Sequence, residues 1–420
     1  MTEQQIFETV REKMRHRPKI VKMFENCYSD TLENTIRFGE DGTVFMLTGD
    51  IPAMWLRDST NQLRPYLITA SENEKVRRII EGVMKKQFLC ILKDPYANAF
   101  NECANGMGHQ TDETQMLPEV WERKYEVDSL CYPIQLAYLY WKNTGCTHHF
   151  DLLFLKVLKT VVRLWKVEQN HPENSPYRFH RPNCAPKGTL GKNPVGITGM
   201  TWSGFRPSDD GCVYHYLVPS NMFAATVLKY AEQILGLFYE EALFQKEVIA
   251  LYKELEAGIE KFGKVKDEDF GEIYVYETDG LGHVYQIDDA NVPGLLSMPY
   301  FGYCDQDDVI YQNTRKWVLS SKNPYYFQGK AASGVGSPHG KISENRIWHI
   351  ALAIEGMTTA NTEDIERPLD YFERTDADTG FVHEGFDKDD PFQFSRPWFS
   401  WANATFVEFI LSVCGVEIVK

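Results

Sequence analysis

The sequence lacks the features of several large classes of protein. It has no apolar run near the ~20 residues that cross a bilayer, and its charged first residues do not resemble a signal peptide. Its nine cysteines are widely spaced and form no CxxC pair, which argues against a disulfide framework and a structural zinc site. We therefore expect a reduced, cytoplasmic protein without a membrane segment.

An excess of basic residues is also missing. The chain has 44 Lys and Arg against 59 Asp and Glu, a formal net charge of -15, which repels phosphate backbones and anionic membranes. The serine hydrolase motif GxSxG, the P-loop and a GxGxxG turn before a helix are absent, so these enzyme classes lose their usual support. We expect no nucleic acid, no membrane and no cofactor as partners.

Amphipathic helical patterns recur along the chain, whereas strand-like pieces are short and isolated. No linker, charge block or short repeat divides the sequence. We therefore predict an all-α protein with minor short strands, folded as a single catalytic domain over residues 1–420. The helical patterns cover residues 20–38, 61–70, 74–92, 150–167, 222–238, 240–262, 343–357 and 400–413.

Long aromatic and Gly-rich loops separate these helices, at residues 100–127, 172–208, 276–308 and 325–342. Loops of this length are unusual in a compact domain unless they build a site. Alternating long and short loops suit an (α/α) barrel in which the long loops gather at one rim. Periodicity alone leaves an irregular helical bundle equally open.

The first chemical segment is DIPAMWLRDST at residues 50–60. Trp55 offers an apolar face to a sugar ring, while Arg57 and Asp58 can bind neighbouring hydroxyls as donor and acceptor. The alternative is structural, with Asp58 capping a helix and pairing with Arg57.

The second segment, GHQTDETQ at residues 108–115, has seven side chains out of eight that can hydrogen-bond. A hydrophobic core has no use for such a density of polar groups. His109 and Gln110 therefore indicate the polar wall of a pocket for a hydroxyl-rich ligand. A metal site at His109 is only weakly supported, since one His with scattered carboxylates is no metal signature.

The third segment, GFRPSDD at residues 204–210, precedes an apolar helical run. A glycosidase needs one carboxyl group that stays protonated near neutral pH, and crowding between Asp209 and Asp210 can raise one pKa. Arg206 and the helix dipole oppose that rise. The two carboxylates can also be a helix cap and a dipole partner without any catalytic role.

The fourth segment joins VHEGF at residues 382–386 to SRPWFSWAN at residues 395–403. Glu384 can act as a general base that polarises a water, or it is a loop carboxylate at the surface. Trp398 lies in the aromatic part of this segment. Two further loops, 288–294 with Asn291 and 334–340 with His339, resemble pocket walls, although each can be an ordinary turn.

Together, DIPAMWLRDS, GFRPSDD with the following LVPSN (217–221), and VHEGF resemble glycoside hydrolase family 125, the bacterial and fungal exo-α-1,6-mannosidases. The resemblance extends over about residues 24–413. It implies a single (α/α)6 barrel related to the glucoamylase-like enzymes. It also implies removal of terminal α-1,6-linked mannose with inversion and without a metal.

The resemblance implies that Glu384 is the general base and that one carboxylate of Asp209 and Asp210 is the general acid. Nothing local separates the two, and Asp210 is the preferred choice. Candidates for the mannose subsite are Trp55, Arg57, Asp58, His109, Gln110, Arg206, Asn291, His339 and Trp398. The alternatives are another toroidal exo-glycosidase, such as a glucosidase, and a non-catalytic mannoside-binding protein.

Overall fold

The structure is a computed structural model that describes residues 1–182, 193–339 and 345–420. Thirteen α-helices lie within these residues, and none of them is both long and apolar enough to cross a membrane. They are α1 (Glu3–Lys13), α2 (Pro18–Asn34), α3 (Leu56–Leu63), α4 (Glu74–Lys93), α5 (Val127–Thr144), α6 (Leu152–Glu168), α7 (His171–Asn174), α8 (Val218–Phe238), α9 (Ala242–Phe262), α10 (Val309–Val318), α11 (His349–Met357), α12 (Thr362–Thr375) and α13 (Ser400–Val413).

The strands of the described residues are short and pair antiparallel in sheets of two or three. They are β1 (Ile36–Phe38), β2 (Val44–Met46), β3 (Met54–Trp55), β4 (Ala99–Phe100), β5 (Val120–Glu122), β6 (Tyr216–Leu217), β7 (Lys264–Asp267), β8 (Gly271–Tyr274), β9 (Glu277–Thr278), β10 (Val284–Tyr285), β11 (Tyr326–Gln328), β12 (Ser333–Val335), β13 (Arg346–Trp348) and β14 (Gly385–Asp387). This confirms the predicted helical fold with minor strands.

Two of the predicted helices extend too far in the sequence. The pattern at 20–38 includes β1, which pairs with β2 in register Ile36 to Met46. The pattern at 343–357 includes β13, which pairs with β14, and residues 340–344 lie outside the described residues. In both cases the backbone groups at the end of the helical pattern are satisfied by an antiparallel partner strand, which is a neighbouring hairpin strand for β1 and a strand about 40 residues away for β13.

Outer and inner helices alternate in chain order. Outer helices α2, α4, α6, α9 and α12 bury one face. Inner helices α3, α5, α8, α11 and α13 are buried on most sides and pack in succession as α11, α13, α3, α5 and α8. Between α9 and α10 the inner position is taken by residues 287–301, which are buried and rich in turns. The result is the (α/α)6 barrel.

The two ends of the chain meet to close the ring. Helix α13 packs against α2 and α3, and the Asp50 amide donates to the Trp398 carbonyl at 3.1 Å. The Ser400 amide donates to the Thr48 carbonyl at 3.2 Å. The segment before α3, from the first motif, therefore lies beside the segment before α13, from the fourth.

Candidate active site

Three of the four predicted segments contribute to one small pocket. Its volume is about 200 Å³, and its lining includes Trp55 and Arg57 from the first segment, Asp209 from the third and Glu384 from the fourth. A site of this size is below the ~300 Å³ typical of drug-sized ligands and suits one sugar ring. With Asp58 included, the pocket therefore combines three carboxyl groups with indoles and guanidinium groups.

Asp209 lies in a tight turn that projects its carboxylate into this pocket. The Asp209 amide donates to the Arg206 carbonyl at 2.9 Å, with Pro207 at the second position of the turn, where its fixed φ is favoured. The φ angle of Asp209 is 64°. Such left-handed backbone is uncommon for residues other than Gly and persists where surrounding contacts hold it, often at functional sites.

Glu384 immediately precedes β14, whose pairing with β13 fixes its backbone. The Ser395 hydroxyl donates to Glu384 Oε2 at 3.0 Å, and Arg396 Nη1 lies 3.7 Å from Oε1. Arg396 also has a left-handed φ, 49°, and donates from Nε to Asp50 Oδ1 at 2.9 Å. Two distant chain segments therefore hold Glu384 at the pocket.

The first segment supplies buried groups that face the ligand space. Asp58 accepts from the Thr48 hydroxyl at 2.6 Å through Oδ2, while its buried Oδ1 makes no hydrogen bond to a described residue and lies 3.5 Å from Arg57 Nε. Trp55 precedes α3, and its side chain makes no capping hydrogen bond. Burial raises the pKa of Asp58 above its usual value, against the opposing effect of Arg57. Asp58 thus lines the pocket with a carboxylate oxygen that makes no hydrogen bond within the part of the protein that the structure describes.

Arg57 is surrounded by carboxyl groups. Its guanidinium lies 2.6 Å from Glu126, 3.3 Å from Asp128, 3.3 Å from Asp209 and 3.5 Å from Asp58. Although burial opposes its charge, these neighbours raise the pKa of Arg57, with Glu126 foremost. The guanidinium is therefore a permanent cation at the wall of the pocket.

The pKa values of the Asp209 and Glu126 carboxyl groups are shifted in opposite directions. Burial alone would raise the pKa of Asp209, but the charges of Lys124 and Arg57 hold it below its usual range. For Glu126, burial raises the pKa well above its usual value, and the negative charges of Asp209 and Asp128 add to the effect of burial. The two neighbouring carboxyl groups therefore differ in their preference for a proton, with Glu126 favouring it more than Asp209.

Two further predicted residues, Asn291 and His339, also line the pocket. Asn291 Nδ2 donates to Asp289 at 2.8 Å. His339 Nδ1 lies 3.4 Å from Asp210, and although burial works against its charge, Asp210 raises the pKa of His339, helped by Asp209. Asp210 itself is buried beside His339 and is not among the residues that line the pocket.

Four predicted binding residues lie away from the described lining of the pocket. His109 is half-exposed, with Nε2 3.5 Å from Glu122, and Gln110 donates to the Val120 carbonyl at 2.6 Å. Arg206 pairs with buried Glu277. The remaining residue, Trp398, donates from its indole to Asp30 at 2.8 Å. Each of these side chains is engaged by a protein partner.

A larger depression of about 430 Å³ lies between the β1–β2 hairpin and α4. Its two acidic side chains have structural partners. Asp151 caps α6 by accepting from the Leu153 and Phe154 amides, and Glu81 accepts from the Tyr140 hydroxyl. This depression therefore offers no free carboxylate pair. Within the part of the chain that the structure describes, no group of three His, Cys, Asp or Glu is arranged to hold a metal ion.

Several residues of the site were missed as candidates in the sequence. Arg396, Phe399 and Trp401 line the pocket, and Arg396 and its aromatic neighbours stand in the quoted segment 395–403, so aromatic and basic composition could have found them. Glu126 and Asn98, which contact Asp209 or its neighbours, belong to no recognisable motif. Only the fold brings those two to the site.

A helical toroid whose small pocket has carboxylates, aromatics and a guanidinium defines a glycoside hydrolase. The family model for metal-independent α-mannosidases (GH125) matches residues 17–411, so the chain belongs to this family of α-mannosidases. A metal-independent α-mannosidase from Streptococcus pneumoniae, solved in a non-productive complex with α-1,6-mannobiose, is 47% identical with a TM-score of 0.95, covering 99% of this chain and 98% of that one.

Other relatives extend the comparison. Meiotically up-regulated gene 157 protein from Schizosaccharomyces pombe is 34% identical over 98% of this chain and 85% of its own length. A bacterial glucoamylase solved with acarbose has a TM-score of 0.57 at 14% identity, covering 87% of this chain and 49% of that one. The likeness to the glucoamylase shows a common fold alone and confirms the predicted (α/α)6 barrel.

Proposed function

We propose that this α-mannosidase is exo-acting, removes terminal α-1,6-linked mannose and inverts the anomeric configuration. The observation that carries the proposal is the pocket of about 200 Å³ lined by both Asp209 and Glu384. Two carboxylates, each held by its own partners, suit the division of work between an acid and a base. The α-1,6 linkage is supported by the mannobiose bound to the Streptococcus pneumoniae relative.

Asp209 is the proposed general acid. The sequence preferred Asp210, but Asp209 lines the pocket and Asp210 packs beside His339. Asp209 protonates the glycosidic oxygen as the bond to the anomeric carbon breaks. Trp55 and Asp58 are proposed to bind the mannose ring through an apolar face and a hydroxyl acceptor.

Glu384 is the proposed general base. It takes a proton from a water that attacks the anomeric carbon from the face opposite to the leaving group, and Ser395 and Arg396 orient its carboxylate. One water is added across one glycosidic bond, and the product has β configuration. The small pocket supports release of single mannoses, since it has room for one ring.

Product analysis tests this proposal. Incubation with α-1,6-mannobiose and a longer α-1,6 chain, followed by NMR, should show β-mannose first and mannose as the sole early product. Isomaltose, the matching α-1,6 glucoside, is the control and should remain intact. α-Mannose as the first product would exclude inversion, early mannobiose would exclude exo attack, and glucose release would indicate a glucosidase. Binding without turnover would indicate a non-catalytic protein.

The roles of the carboxyl groups are separated by leaving-group ability. Asp209→Asn should lower kcat/KM on α-1,6-mannobiose by about 10² to 10⁴-fold and affect dinitrophenyl α-mannoside far less, because that leaving group needs no proton. Glu384→Gln should lower kcat/KM on both substrates. Asp210→Asn is the matched comparison, and if it showed the leaving-group dependence instead of Asp209→Asn, Asp210 would be the acid.

A further inference from the structure

The surroundings of Asp209 affect whether its carboxyl group can carry the proton that a general acid needs. A general acid must carry a proton when the substrate is bound, yet Asp209 lies beside two permanent cations, Arg57 and Lys124. Cations favour the ionised carboxylate. A neighbouring group is therefore needed to keep a proton available to Asp209, and Glu126 is in position to do so.

Glu126 and Asp209 are held together by two shared donors. Asn98 Nδ2 lies 3.1 Å from Asp209 Oδ1 and 3.2 Å from Glu126 Oε1. Arg57 contacts the same two carboxyl groups, at 3.3 Å and 2.6 Å. Because one amide nitrogen and one guanidinium reach both groups, the two carboxyls are close neighbours. Glu126 is buried, with no side-chain exposure, and does not line the pocket.

The charge balance around this pair favours retention of a proton. The groups that face it are Arg57 and Asp58 on α3, Glu122 on β5, Lys124 just after β5, Asp128 on α5 and His339. Three permanent cations, Arg57, Lys124 and Arg181, contact the carboxyl groups of this region, and Arg181 is also engaged by Asp112.

With Glu126 and Asp209 included, five carboxyl groups therefore share these three cations. Full ionisation would leave uncompensated negative charge in a buried region, which is costly. Two carboxyls in contact meet this cost by sharing one proton. Of the five, Glu126 and Asp209 are the two that contact both Asn98 and Arg57.

We propose that Glu126 is a positioning residue for the general acid, sharing a single proton with Asp209 so that the pair, and not Asp209 alone, sets the pH above which the enzyme loses its acid. This inference rests on the proposed role of Asp209. During hydrolysis the glycosidic oxygen takes the proton from Asp209, leaving both members of the pair ionised beside Arg57. Glu384 takes the proton of the attacking water and later releases it to solvent, and solvent returns one proton to the pair.

The test compares pH profiles of kcat/KM for α-1,6-mannobiose and dinitrophenyl α-mannoside. In Glu126→Gln the shared negative charge is lost and Asp209 faces Arg57 and Lys124 alone. The basic limb for mannobiose should therefore move to lower pH by about one unit or more, with about tenfold loss per unit at neutral pH. Lowering the pH should restore the rate, and the dinitrophenyl substrate should change much less.

Two matched variants separate proton sharing from a structural effect. Asp128→Asn also removes a carboxyl contact with Arg57, but within the described residues Asp128 makes no hydrogen bond with Asn98 or Asp209, so the basic limb should move clearly less than in Glu126→Gln. Glu126→Asp keeps an ionisable group and should return the limb toward the wild-type position. An unmoved limb in Glu126→Gln, or equal losses on both substrates at every pH, would overturn the proposal.

A spectroscopic measurement covers the case in which Glu126→Gln does not fold. Infrared spectra of the wild type should contain a protonated carboxyl band that titrates at the pH of the basic limb, and in Asp209→Asn this band should change its frequency and its titration pH. Identical carboxyl bands in both proteins would overturn the shared proton. Failure of Asp209→Asn to show leaving-group dependence would instead refute the acid assignment, whatever Glu126 does.

Discussion

Individual residues of α3 show how a polar sequence can form an inner helix. All eight residues from Leu56 to Leu63 are buried, and six of them are polar or charged. Gln87 of α4 donates to the hydroxyls of Ser59 and Thr60 at 2.9 Å, which satisfies groups that burial would otherwise leave unpaired. Two of the buried polar residues of this helix, Arg57 and Asp58, line the pocket.

Asp58→Asn is predicted to separate activity from stability. The substitution removes the charged acceptor for a sugar hydroxyl, so kcat/KM on α-1,6-mannobiose should fall about 10 to 100-fold, in line with the ~1–3 kcal/mol of a lost charged hydrogen bond. Burial raises the folded pKa of Asp58, so its ionisation opposes folding at neutral pH. The midpoint of thermal unfolding should therefore stay equal or rise.

The raised pKa of Asp58 also predicts how the stability difference between Asp58→Asn and the wild type depends on pH. The stability that the raised pKa of Asp58 contributes is fully present at pH values below the pKa of the unfolded chain, near 3.9. It is lost as the pH rises through the pKa of Asp58 in the folded protein. The advantage of Asp58→Asn should accordingly disappear below about pH 4. Parallel losses of activity and thermal midpoint at neutral pH would show that Asp58 is mainly structural.

At the scale of elements, the inner helix α5 was not predicted from the hydrophobic periodicity of the sequence. Fourteen of its eighteen residues are buried, including Pro133 inside the helix. A helix that is covered on most sides has no polar stripe, so its amphipathic period vanishes. The sequence predictions succeeded for outer helices such as α4 and α9, whose one exposed face produces the 3.6-residue pattern.

The start of α11 positions the loop that precedes β14. His349 Nδ1 accepts from the His383 amide at 2.9 Å, and its Nε2 lies 3.1 Å from the Thr375 hydroxyl. Burial lowers the pKa of His349 to about 3, assisted by the nearby His383. His349 Nδ1 also lies 3.0 Å from the His383 carbonyl oxygen, so the imidazole of His349 holds the backbone adjacent to Glu384.

His349→Gln is predicted to weaken the acid sensitivity of the fold. Because the pKa of His349 is lowered in the folded protein, His349 of the unfolded chain binds a proton below about pH 6.5, whereas His349 of the native state does not. Stability is therefore lost as the pH falls from there toward 3, at about 1.4 kcal/mol per pH unit for this group. Urea unfolding across that pH range should give a shallower dependence for His349→Gln, whose amide oxygen can still accept from His383.

The comparison of the two unfolding curves isolates this one residue, since carboxyl groups titrate in both proteins. Curves of the wild type and His349→Gln that remain parallel between pH 6.5 and 4 would contradict a neutral, buried His349. Activity of the variant at neutral pH reports separately on the placement of Glu384.

At the scale of the whole molecule, the ring depends on a close approach between the segments before α3 and α13. Gly49 forms a bridge with Phe399 and has a φ of 136°. A Cβ at Gly49 would lie 2.4 Å from the Trp398 carbonyl oxygen, a contact that neither backbone can relieve without moving. Only glycine fits this junction, which also carries Asp50 toward Arg396 and the pocket.

Gly49→Ala is predicted to destabilise the protein by more than the conformational penalty alone. Gly282→Ala is the matched control, because Gly282 has a similar φ of 112° but nothing within 4 Å of its added Cβ. The control should cost about 1–3 kcal/mol, the usual range for such backbone strain. Urea unfolding should show a clearly larger loss for Gly49→Ala, and equal losses would mean that the close approach is unimportant.

The sequence by itself determined the chemistry and the family of this protein. The motifs at residues 50–60, 204–210 and 382–386 are local strings, so a chain read from end to end reveals their carboxylates, aromatics and guanidinium. Helical periodicity likewise gave the outer helices α2, α4, α6 and α9 and the inner helices α8 and α13, although it missed the inner helix α5 and the outer helix α12. The single domain over residues 1–420 and the cytoplasmic location stay predictions.

Only the tertiary structure decided which groups meet. Asp209 and Asp210 are adjacent and chemically equal in the sequence, and a left-handed turn directs Asp209 to the pocket while Asp210 packs beside His339. Glu126 and Asn98 carry no motif, since their role depends on contacts across 83 and 111 residues of chain. Contacts of that span arise because the inner helices α5 and α8 are neighbours in the barrel, and no local pattern contains them.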